Sequence, residues 1–255
     1  MAHDGTGPGD ALDEARSAIA TGCRVVARSG LSPGVLGHLS LRLPDGRVLV
    51  RCRGPRERGL AYTEAQDVHA VGPGGTGAAA GWQAPNELPI HTRVLHARPD
   101  VSVVLHAHPP AVVTTTLAHR PLLPIVGAYD IPAAQLAAGG IPVWPRSALV
   151  NDDELGDAVA HALGDRPAVL LHGHGLVSVG RGPVEHAVAE AVVTALAVDT
   201  LARLTLAVLA AGAEPAPIDD ADLAQLPQLG PGLHVETAWR HLVASTDAAS
   251  PPAQP

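Results

Sequence analysis

The chain has 255 residues, 46% of them apolar, with 27 Gly, 24 Pro, three Trp, two Tyr and no Phe. Without a collagen-like period this composition describes a globular, loop-rich protein with an aliphatic core. A net charge of −8 with dispersed bases argues against non-specific nucleic-acid binding. Two cysteines, Cys23 and Cys52, and no basic start followed by an apolar run imply neither a disulfide framework nor secretion, so a cytoplasmic protein is expected.

Residues 1–9 and 246–255 read as a disordered start and a flexible tail around a single domain over 10–245. The apolar spacing of Leu12, Ala15, Ile19, Val25 and Val26 predicts a helix from Asp10 to Ser29, closed by Gly30. The segment from His38 to Leu43 alternates, Pro44-Asp45-Gly46 is a turn, and alternation resumes over Arg47 to Val50, which predicts a β-hairpin. Pro85 opens a helix with Ile90, Val94 and Leu95 on its inner stripe, and Pro99-Asp100 ends it. Val101 to Leu105 is a strand running into His106-Ala-His108. Asn151 is expected to cap a further helix. Ala168 to Leu171 and Leu176 to Val179 read as strands flanking His172-Gly-His174-Gly175. The most apolar stretch, from about 183 to 213, carries Glu190, Asp199 and Arg203 and reads as a buried helix, so no membrane span is expected. The terminal Trp239-Arg240-His241 segment reads as a packing helix, the alternative being that it covers a neighbour's active site. A clear hairpin among alternating helices and strands favours a mixed or antiparallel sheet covered by helices.

Fourteen His beside five aromatic residues raise the question of a metal. Side chains two apart on a strand point to one side, so His106 and His108 can chelate one ion. With the cluster at His172 and His174, they make a three-His site with an open position, as in catalytic zinc or similar centres. Glu87, with His91 one turn later, is either an acid/base or a first-turn acid complementing the helix dipole. The loop Arg51-Cys-Arg53-Gly-Pro-Arg56-Glu-Arg58-Gly59 either clamps a carboxylate or is a solvated surface.

Gly37-His-Leu-Ser40, Pro85-Asn-Glu87-Leu-Pro-Ile-His91, Arg98-Pro-Asp-Val101, His106-Ala-His108-Pro109 and Leu171-His-Gly-His174-Gly175 stand in the order and spacing of the class II aldolase/adducin family, which the chain resembles over roughly residues 11–210. The resemblance implies an α/β fold, a three-layer α/β/α arrangement around a mainly antiparallel sheet. It also implies a homotetramer with active sites at subunit interfaces. It further implies that His106, His108 and His174 hold a divalent metal ion, zinc first with manganese, iron or cobalt as alternatives, and that Glu87 is the catalytic acid/base. His172 then faces substrate or supports a ligand, and His91 is structural.

The sugar-phosphate members grip phosphate with an Asn, a Thr-Gly turn and a Ser-Ser pair, where this chain has His38, Arg53-Gly54 and Pro85-Asn86. Pro offers neither a hydroxyl nor an N–H, which argues against a phosphorylated substrate. His38, Arg51 and Arg53 suit a carboxylate, with Asn86, Tyr129 and His172 as further substrate contacts. In this the chain resembles the decarboxylase-type branch, which acts on hydroxylated aromatic dicarboxylates. A metal-dependent carboxy-lyase is therefore expected. The alternatives are a retro-aldolase or dehydratase on an unphosphorylated hydroxy-keto acid, an iron-dependent oxygenase, and a metal-free scaffold like the adducin head.

Overall fold

A computed structural model describes residues 8–230 and 232–248. The expected disordered start lies outside these residues up to position 7, and the expected flexible tail does so from 249 onward. Seven strands form one sheet: β1 (His38–Arg42), β2 (Val48–Arg51), β3 (Val68–Val71), β4 (Val101–Ala107), β5 (Val143–Trp144), β6 (Ala168–Leu171) and β7 (Gly175–Arg181). Their spatial order is β3-β2-β1-β4-β7-β6-β5, antiparallel throughout except for the β5–β6 pair. This is the α/β fold with a mainly antiparallel sheet that the sequence led us to expect.

Helices cover both faces. On one, α1 (Pro8–Arg28), α3 (Pro110–Leu117), α4 (Ile131–Ala138) and α6 (Val184–Ala210) pack on Leu39, Leu41, Val103, Leu105, Leu170 and Leu176. On the other, α2 (Leu88–Ala97) and α5 (Asp153–Leu163) pack on Val48, Val50, Val104, Val169, Leu171 and Val177. The strand residues divide between the two cores by their alternation, as a sheet buried on both faces requires. Although α6 is long and apolar enough to cross a membrane, its Val188, Ala191, Val192, Ala195 and Val198 are buried in the first core.

Several boundaries differ from expectation for local reasons. Helix α1 starts at Pro8, a residue suited to a first helical turn, and the terminal helix α8 (Ala238–Ala248) runs into the segment expected to be loose. There the Arg28 guanidinium donates to the Thr246 carbonyl at 2.6 Å, and Trp239 is buried in the first core, so the segment packs on its own chain. Asp152, not Asn151, caps α5, accepting from the Leu155 N–H at 2.8 Å. Asp219 caps the short α7 (Asp220–Gln225). Strand β4 extends through His106 to Ala107 before Pro109 and Pro110, which cannot donate to a ladder, begin α3.

One close approach joins the start of β7 to the end of β4. A Cβ on Gly175, the first residue of β7, would lie 2.2 Å from the Ala107 carbonyl oxygen and 3.2 Å from the His108 Cα. The obstacle is backbone. Gly175→Ala is expected to destabilise the fold by about 3 kcal/mol or more, read as a lowered urea midpoint.

Candidate active site

The site forms where β1, β4 and the β6–β7 turn meet α2. Antiparallel register places His38 directly opposite His106, so both side chains share the face under α2. Helix α2 is held there at its far end by Arg42, whose guanidinium donates to the carbonyls of Leu95, Arg98 and Val101. Its buried stripe of Leu88, Ile90, His91, Val94 and Leu95 fixes its rotation. Sequence spacing put Glu87 in the first helical turn. It is instead the N-cap residue, with φ −93° and ψ 27°, and Pro85 lies in the turn before it. This places the carboxylate at the helix entrance, and His91 one turn on.

Glu87, His106, His108 and His174 offer ligand atoms all within 4.8 Å of one another. The His106, His108 and His174 ring centroids are 4.5–5.0 Å apart. His106 Nδ1 donates to the Leu176 carbonyl at 2.9 Å; a carbonyl only accepts, so the ring's proton is on Nδ1 and Nε2 carries a lone pair. That lone pair faces Glu87 Oε2 at 3.2 Å, while His174 Nε2 lies 3.4 Å from Oε1. The buried His106 Nε2 makes no hydrogen bond. A lone pair facing a carboxylate in a buried site is unfavourable unless a cation lies between them, and three imidazoles with one carboxylate are a donor set for a divalent ion.

Burial and neighbouring groups lower the pKa of three histidines at the site, His38, His91 and His108. Burial, then the neighbouring His106 and His174, lowers the His108 pKa to about 3, and burial with His106 lowers that of His91 to about 3. Burial, His91 and His106 hold His38 well below its ordinary value. Burial alone would raise Glu87, but the neighbouring His106 and His174 outweigh it and hold its carboxyl well below the usual carboxylate range. Unfolded histidines bind a proton near pH 6.5, whereas folded His91 and His108 do so only near 3. Between these values the unfolded state carries more protons, so acidification destabilises the fold. Each residue adds a slope of about 1.4 kcal/mol per pH unit. Urea midpoints of metal-free protein are expected to fall steadily from pH 6.5 towards 3.

The match to the Class II Aldolase and Adducin N-terminal domain covers residues 17–206. The chain belongs to the class II aldolase and adducin family. It is 52% identical over 240 residues to a 3,4-dihydroxyphthalate decarboxylase of Arthrobacter keyseri, covering 92% of this chain and 95% of the relative. It is 53% identical over 233 residues to an enzyme of the same name from a Terrabacter species, covering 90% and 95%. Among solved structures, an aldolase II superfamily protein from Pseudomonas syringae superposes with a TM-score of 0.79 at 22% identity, covering 96% of this chain and 95% of that one. That likeness supports the fold.

In this class II aldolase family member the remaining sequence-derived residues are placed unevenly. His38 joins the cluster, its ring centroid 5.2 Å from that of His106. His172 stacks on His119 at 5.1 Å, its Nδ1 3.1 Å from Ser147 Oγ, one turn residue away from His174. Asn86 is exposed and lines a groove with Trp82, Pro89 and Asn151. Arg51 is buried and ion-paired with Glu57 at the edge of a cleft of about 430 Å³ that also holds Arg56, Arg58 and Tyr62. Arg53 is exposed, its backbone bridged to Gln83. Tyr129 is 78% exposed in the segment before α4. Sequence reading missed Ser40 and the part played by His91, which is fully buried and bridges Ser40 and His38 at 2.6 Å to each. Alternation along β1 puts His38 and Ser40 on one face, which was the available signal. It also missed the Val150 N–H, which donates to Glu87 Oε1 at 3.1 Å and comes from a part of the chain with no motif.

Proposed function

We propose that the protein is a divalent-metal-dependent carboxy-lyase that removes one carboxylate from a hydroxylated aromatic dicarboxylate, with 3,4-dihydroxyphthalate, named for its relatives, as substrate. The observation that carries this reading is the three-imidazole cluster with an ionised Glu87 inside it and a neutral His38 at its margin. His106, His108 and His174 would hold the ion, for which we propose zinc. Bound there, a divalent ion supplies Lewis-acid charge that draws electrons towards a ring oxygen.

The chain's own groups then manage the proton. An ionised Glu87 is the right resting state, because it can take the proton of the ring hydroxyl and return it to the carbon that loses CO2. The C–C bond breaks, its electron pair passes into the ring, and the ring carbon gains the proton from Glu87. The Val150 N–H fixes one carboxylate oxygen, which leaves the other to move the proton. His38, Arg53, Asn86, Tyr129 and His172 are proposed to meet the rest of the substrate. Arg51 acts through Glu57 to shape the neighbouring loop. A cytoplasmic homotetramer with active sites between subunits completes the proposal.

The test is to incubate metal-loaded protein with 3,4-dihydroxyphthalate and with unphosphorylated hydroxy-keto acids, following CO2 and product masses. CO2 release from the aromatic acid is expected. Aldehyde release from a keto acid without any CO2 from the aromatic acid would sink the reading.

A further inference from the structure

Behind the metal-ligand cluster runs a hydrogen-bonded chain of three buried side chains. Ser40 and His38 sit two apart on β1, and His91 reaches down from α2 between them. Ser40 Oγ is 2.6 Å from His91 Nδ1, and His91 Nε2 is 2.6 Å from His38 Nδ1. Among the described residues His38 Nε2 has no partner in the protein, and the His38 ring packs against the ring of His106.

The direction of this chain decides what His38 offers. The Ser40 hydroxyl is fully buried, and among the described residues His91 is its one hydrogen-bond partner. Its proton therefore has an acceptor only if it is donated to His91 Nδ1. His91 must then carry its proton on Nε2 and donate to His38 Nδ1, and His38 must carry its own on Nε2. The opposite polarity, with His91 Nδ1–H turned on Ser40 and the nearby Val104 carbonyl, strands the Ser40 proton. It also leaves a lone pair at His38 Nε2, which repels a carboxylate.

We propose that Ser40 and His91 are positioning residues that lock His38 in the tautomer with its N–H at Nε2, and that this N–H binds the carboxylate the substrate keeps. The proposal rests on the carboxy-lyase reading above. A donor fixed on the departing carboxylate would hold charge on a group that must become neutral CO2, and so would oppose the reaction. A neutral donor on the retained carboxylate orients the ring without that penalty.

Zinc-loaded wild type, Ser40→Ala and His91→Phe would be titrated by calorimetry with 3,4-dihydroxybenzoate, which has one carboxylate, and with catechol, which has none. Each variant is expected to bind 3,4-dihydroxybenzoate about tenfold more weakly and catechol within about twofold of wild type, with zinc content unchanged. Parallel weakening of both ligands, or of neither, would overturn the proposal. So would ring ¹⁵N spectra of the wild type placing the His38 proton on Nδ1, a measurement that needs no variant. Because these readouts are binding and tautomer state, they stand apart from turnover. Absence of CO2 release defeats the carboxy-lyase reading, whereas an unselective loss of affinity defeats the relay alone.

Discussion

Glu87→Gln is expected to lower turnover about a hundredfold or more while the protein stays folded and keeps its metal. Gln is nearly the same size, and its carbonyl oxygen can still accept the Val150 N–H that Glu87 Oε1 accepts at 3.1 Å. In the metal-free protein its NH2 can also donate to the lone pair of His106 Nε2, 3.2 Å away, so folding without the ion leaves no new unpaired group there. What the amide cannot do is take a proton and return it. The loss should therefore appear in kcat, with little change in KM. Stopped assays with matched metal analysis decide the matter: full turnover at unchanged metal content would show that Glu87 moves no proton.

His106→Ala should remove the metal rather than slow the chemistry. It deletes one of three imidazoles, from the central strand where the side chain is fully buried and its orientation is set by the Leu176 carbonyl. The metal-free variant also gains a cavity and loses the hydrogen bond to that carbonyl, at a cost of about 2 kcal/mol or more. Wild type at a free zinc concentration a thousandfold above its Kd should gain about 4 kcal/mol of stability, and the variant should gain almost none. Thermal unfolding with and without zinc reads both effects. One ion per chain at wild-type affinity in the variant would refute the assignment.

How much of this was legible in the sequence depended on whether the determinant was local. His106-x-His108 could be read because strand geometry puts alternate side chains on one side. The hairpin and the strand before His172 were legible from alternation and turn residues. Strands β3 and β5 were not, since each is short and is defined by pairing to a distant partner. Glu87 was found as a residue but misplaced by one position of helix geometry, because Pro85 fits a first turn as well as the turn before it. The Ser40–His91–His38 chain depends on how α2 is rotated over β1, which no local pattern encodes. Arg51 illustrates a further limit: an Arg-rich loop resembles an anion clamp, but its composition does not reveal that Glu57 in the same loop pairs with the buried Arg51 guanidinium.

The paired positions of His38 and His106 have a consequence for how such a protein can be re-engineered. His106 belongs to the middle strand of the sheet, and the backbone beside His108 and His174 is wedged by Gly175, so the proposed ion-holding part tolerates little change. His38 begins the neighbouring strand, and Arg53 stands exposed beyond the next. On the function proposed above, new substrate preferences are expected to be graftable along this margin, position by position, with the proposed metal centre kept as a fixed module.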